Sequence, residues 1–132
     1  MKIAFITDLH IRSERLGDQL AELAVLPNEV DLACPDVIVL GGDLAGVTVP
    51  HRATPSERNA LVSLVVALAD TAPVVVLRGN HDQRGDYDFL NHLAGNHPIV
   101  YVDQPEVLVV SDVRLLCLPW LDRGDVEASE GG

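Results

Sequence analysis

Three apolar runs in this chain each break off into polar side chains of one chemical kind. "KIAFIT" at 2–7 leads into Thr7-Asp8-Leu9-His10, "DVIVL" at 36–40 into Gly41-Gly42-Asp43, and "VVVL" at 74–77, after one arginine, into Gly79-Asn80-His81-Asp82. Short runs rich in Val, Ile and Leu read as strands buried on both faces, the pattern of a parallel sheet. In open parallel sheets ligands gather outside the carboxyl ends of the strands. Three neighbouring strands would therefore bring Asp8, His10, Asp43, Asn80 and His81 to one rim.

The rest of the chain supports that architecture. Residues 16–26 carry Leu16, Leu20, Leu23 and Ala24 at helical spacing, and the helix can continue toward Ala33 past Pro27. Thr54-Pro55-Ser56-Glu57 is a helix start with a capping residue, a proline at the first helical position and a glutamate able to close a capping box. That helix runs to about Asp70. "YDFLNHLA" reads as a short third helix, and "IVYV", "EVLVV" and "VRLLCLPW" as three further strands. Between the last two, "SDV" is too short for a crossover, so they form an antiparallel pair. The predicted order is β-α-β-α-β-α-β-β-β, an α/β fold. One domain is expected over 1–121, followed by a polar, disordered tail over 122–132.

Composition narrows the function classes. Of 132 residues, 48% are hydrophobic but only 4% aromatic, so the core is aliphatic. The net charge of −11, with a single lysine, argues against a basic nucleic-acid footprint. No apolar run is long enough to span a bilayer and no signal peptide is evident, which points to a cytoplasmic protein without membrane contact. Cys34 and Cys117 show no paired spacing and are expected to be reduced, buried thiols.

Carboxylate, imidazole and amide oxygen together suit divalent cations such as Mn²⁺, Fe²⁺ or Zn²⁺. Asp8 and His10, two apart on an extended segment, can point to one side. Asp43, arriving from the middle strand with two carboxylate oxygens, is placed to bridge two ions. Two such ions, roughly 3.5–4 Å apart, can activate water and clamp a phosphoryl group. His81 would then face the substrate as a proton donor or charge stabiliser, with Asp82 orienting it through a hydrogen bond. The glycines at 41, 42 and 79 would let backbone come close where a side chain would crowd the site. His51, His92 and His97 have no motif around them and read as surface or capping residues.

"TDLH", "GGDL" and "RGNHD" resemble the first three sequence blocks of the calcineurin-like metallophosphoesterase superfamily, and the resemblance runs from residue 2 to about 121. With "AFITDLHI", "VVVLRGNHDQ" and the Leu118-Pro119-Trp120 step, the chain is most similar to SbcD-like DNA repair exonucleases. The resemblance implies the N-terminal half of a metallophosphoesterase sandwich, a binuclear Mn²⁺ centre, phosphodiester hydrolysis on DNA and a partner ATPase of the SMC type. It implies Asp8 and His10 on the first metal, Asp43 bridging, Asn80 on the second metal, and His81 as catalytic imidazole supported by Asp82. Phosphomonoesters, cyclic nucleotides or a non-catalytic metal-binding role are the alternatives within this reading. No histidine follows Trp120, whereas the superfamily pattern continues with an isolated His and a Gly-His-x-His block. The expectation is a truncated site with a weaker second metal position, and a second copy or second polypeptide covering the apolar face left open.

Overall fold

The computed structural model describes residues 1–45 and 52–124; the loop around His51 and most of the expected tail, residues 125–132, lie outside the described residues. Four strands, β1 (Ile3–Ile6), β2 (Val37–Leu40), β3 (Val74–Leu77) and β4 (Ile99–Val102), form one parallel sheet in the order β1-β2-β3-β4. All three clusters singled out above therefore leave the same edge of the sheet from adjacent strands. β5 (Glu106–Val110) and β6 (Val113–Cys117) make a separate antiparallel hairpin. Its turn residues Ser111 and Asp112 both have positive φ, 49° and 64°, which matches the right-handed twist of the strands.

The helices are α1 (Leu16–Ala33) and α2 (Pro55–Leu68). Pro27 sits inside α1, where it removes one intrahelical donor. The start of α2 follows its sequence signal: Thr54 Oγ1 accepts the Glu57 N–H at 3.2 Å, and Glu57 Oε1 accepts the Thr54 N–H at 2.9 Å. Glu57 also accepts the Ser13 N–H through Oε2 at 2.9 Å, so one buried carboxylate joins the cap of α2 to the turn that opens α1. The expected third helix is a 3-10 segment, Asp88–His92, closed by three-residue bonds such as Leu90 N–H to the Tyr87 carbonyl. Its Asn91 accepts the Tyr101 N–H at 2.9 Å, which occupies part of the outer edge of β4.

Each face of the parallel sheet packs against a different layer. Ile38, Leu40, Val74 and Val76 face the helices, with Leu61, Leu64 and Val65 of α2 and Val30 of α1 in one core. Val37, Val39, Val75 and Val102 face the hairpin, against Cys117, Leu108 and Leu115. The hairpin covers β2 to β4 but not β1, whose Ile3 and Phe5 remain exposed, as do Val107, Val109 and Leu116 on its own outer side.

Burial separates the two thiols. Cys34 is exposed, while Cys117 is buried and its pKa is raised, first by desolvation and then by the Glu106 charge. One thiol should react rapidly with a disulfide reagent in the native protein and the second only on unfolding. Cys34→Ser should abolish the rapid phase.

Candidate metal centre

The segment after β1 is not extended. Asp8 and His10 both have positive φ, 59° and 46°, and so does Asp43 after β2, at 53°. Aspartate and histidine adopt this left-handed conformation more readily than most side-chain-bearing residues. It still costs roughly 1–2 kcal/mol per residue, and such strain concentrates at functional sites. Asp8 and His10 therefore converge through two left-handed residues, not through the alternation of a strand. Their Oδ1 and Nε2 lie 3.6 Å apart.

Asp8, His10 and Asp43 each offer one ligand atom, and these atoms all lie within 4.8 Å of one another. Neighbouring segments hold the cluster in place. His10 N–H donates to the Asp43 carbonyl and Ile11 N–H to the Leu44 carbonyl, both at 3.0 Å, so the two loops pair beyond the strands. Ile11 is fully buried and anchors its loop in the core. Gln19 of α1 donates to the His10 carbonyl at 2.9 Å and accepts the Arg12 N–H at 2.8 Å. Nothing in the local sequence distinguishes Gln19 from any other polar helix residue; its role depends on where α1 packs.

Asp43 is the hub. Its Oδ1 accepts the His81 N–H at 3.0 Å. The Asn80 amide faces Asp43 with its oxygen; turned over, its nitrogen would donate to Oδ1 and Oδ2 at 3.0 and 3.2 Å. Oxygen against carboxylate oxygens is an arrangement that a cation between them would make favourable. Two carboxylates, an imidazole and an amide oxygen thus fit one or two hard-to-borderline divalent ions. The His81 ring lies beside that of His10, with centroids 6.2 Å apart. It stands at the mouth of the cluster and is partly open to solvent.

Asp82 plays a different part from the one expected. Its oxygens do not engage the His81 ring. Oδ1 accepts the Leu44 N–H and Oδ2 the Gly79 N–H, both at 2.8 Å, and the residue is buried. Burial pushes its pKa up, the N–H bonds from Gly79 and Leu44 oppose that rise, and the Asp43 charge adds to it. Asp82 therefore ties the loop after β2 to the loop after β3. The glycines permit that contact: a Cβ on Gly42 would lie 2.6 Å from the Gly79 backbone, and one on Gly79 would lie 2.2 Å from the Asp43 nitrogen. Arg78, which the sequence reading passed over, is buried and donates to the Trp120 carbonyl at 2.7 Å. An arginine closing an otherwise apolar strand was the signal available for it.

Gly79→Ala should destabilise the protein by about 2–3 kcal/mol in urea unfolding, because backbone stands where the methyl must go. Asp82→Asn should cost about 1–3 kcal/mol, since its NH₂ would confront one of the two N–H donors.

A family model described as calcineurin-like phosphoesterase matches residues 1–127. No curated protein matches the chain.

Proposed function

Because the chain belongs to the calcineurin-like phosphoesterase family, and so to the metal-dependent phosphoesterases, we propose that its substrate bond is the phosphodiester of DNA and that it serves as a repair exonuclease. The observation that carries the hydrolytic reading is the convergence of Asp8, His10 and Asp43 within 4.8 Å, with the Asn80 amide and His81 beside Asp43. The DNA assignment rests on the resemblance of "RGNHDQ" and the Leu118-Pro119-Trp120 step to repair exonucleases. A cytoplasmic location and an SMC-type ATPase partner belong to the same proposal. Among the described residues no helix is long and apolar enough to cross a membrane.

Asp8, His10 and Asp43 would hold the first ion, and Asp43 with Asn80 the second; Mn²⁺ is the proposed metal. These residues would hold ions that, when bound, would supply positive charge at the phosphoryl oxygens and lower the pKa of water at the site. The protein's own part is positional and protonic. Asp43 keeps His81 in place through its backbone N–H. The His81 imidazole, at the open side of the cluster, donates a proton to the departing alkoxide oxygen. Asp82 holds the two loops together from beneath and takes no part in proton transfer.

The net charge of −11 favours a second reading, hydrolysis of a small phosphoester such as a cyclic nucleotide, since a long polyanion meets more repulsion.

Hydrolysis of single-stranded DNA, bis-p-nitrophenyl phosphate and p-nitrophenyl phosphate with Mn²⁺ tests these readings together. DNA cleavage supports the first; turnover of small esters without DNA cleavage supports the second; no turnover of any substrate sinks both. His81→Ala should lower kcat by about 10²–10⁴-fold with Mn²⁺ binding retained in calorimetry. Asp43→Ala should abolish both binding and turnover, because it removes the ligand common to both positions. The Mn²⁺ isotherm of the wild-type chain should resolve a tighter and a weaker site.

A further inference from the structure

An open groove of about 340 Å³ runs from the metal centre between the ends of β2 and β3 and the segment after β6. Asp43 and Asn80 line it together with Leu77, Leu118, Pro119 and Trp120. The outer wall is fixed by reciprocal bonds. Trp120 N–H donates to the Arg78 carbonyl at 2.8 Å, and the Arg78 guanidinium donates back to the Trp120 carbonyl at 2.7 Å and to the Asp122 carboxylate at 3.2 Å. Trp120 is nonetheless 52% exposed, and among the described residues no ring stacks on it.

We propose that this groove receives the base of the nucleotide whose phosphate is handled at the metal centre, with Trp120 as the stacking face. The inference rests on the phosphodiesterase reading and adds a substrate-binding residue to it. Three features choose the occupant. The groove shares Asp43 and Asn80 with the candidate metal centre, so whatever fills it is joined to the phosphate. The Asp43 carboxylate in its lining repels a second phosphate but tolerates a neutral ring. Its volume lies at the lower end of small-molecule sites, which begin near roughly 300 Å³, and an indole held by its backbone offers a flat face at little entropic cost. Stacking on an aromatic side chain accepts any base, so Trp120 contributes affinity for nucleotides without sequence preference.

Trp120 is the only tryptophan in the chain, so intrinsic emission reports on the groove directly. In metal-free buffer with EDTA, deoxyadenosine should quench that emission saturably, and 2-deoxyribose should not. In calorimetry under the same conditions Trp120→Leu should weaken deoxyadenosine binding by about 5- to 100-fold, and Trp120→Phe should restore most of it. Circular dichroism of both variants checks that the fold is retained. Absence of base-dependent quenching, or equal affinity of wild type and Trp120→Leu, overturns the assignment. So does a blue shift of Trp120 emission that grows with protein concentration and ignores deoxyadenosine, which would give the groove to a second copy. Base-dependent quenching alongside a lack of phosphodiester hydrolysis would refute the function reading and leave the groove assignment standing. Hydrolysis with no response to the base would do the reverse.

Discussion

The backbones of the loops leaving β2 and β3 touch at Gly42 and Gly79, and the rest of the site depends on that contact. A Cβ at either position would overlap the opposite chain. The contact also requires an acceptor for the N–H groups it buries. Asp82 supplies both oxygens, one to Leu44 and one to Gly79. A buried carboxylate is costly unless its acceptor capacity is used, and here two backbone donors use it. The same pairing carries Asp43 up to Asn80 and His81, because these residues lie one or two positions beyond the points of contact.

Strain and support are distributed consistently. Asp8, His10 and Asp43 occupy left-handed backbone, and each loop is braced against relaxation. Ile11 is buried in the core, Gln19 bonds both sides of the first loop, and the first loop pairs with the second through His10 and Ile11. The two carboxylates of the cluster, Asp8 and Asp43, repel each other at this range when no cation is present. Packing and backbone bonds beneath hold them there. Such preorganisation suits a centre whose task is to meet a doubly charged ion.

The two faces of the sheet contribute differently to function. The helical face is a continuous aliphatic core that fixes the strand ends. Among the described residues the hairpin face is covered only from β2 to β4. Beyond Cys117 the chain turns back over the carboxyl end of β3, where Arg78 holds it from both its carbonyl and its guanidinium. That return makes the groove beside Asn80 and places an indole at its edge. Asp122 is paired with Arg78 and Arg84 at 3.2 and 3.5 Å.

Much of this was legible in the residues themselves. Uninterrupted Val and Ile runs have no polar face to present to water, so β2 and β3 had to be central parallel strands, and a parallel sheet sends its carboxyl ends to one side. The Thr54–Glu57 cap and the β5–β6 pairing are likewise local, encoded within a few residues. Asp8, His10 and Asp43, which converge within 4.8 Å, stand out in the sequence because ligand chemistry is written in residue type. What the tertiary structure alone decided is how those side chains are aimed and held. The left-handed turns at Asp8 and His10, the diversion of Asp82 from the His81 ring to two backbone donors, the bracing by Gln19 and the clamp made by Arg78 all join residues far apart in the chain. Hydrogen-bond partners at such separations are chosen by which loops the packed sheet brings within 3 Å, and no local pattern in the sequence records that choice.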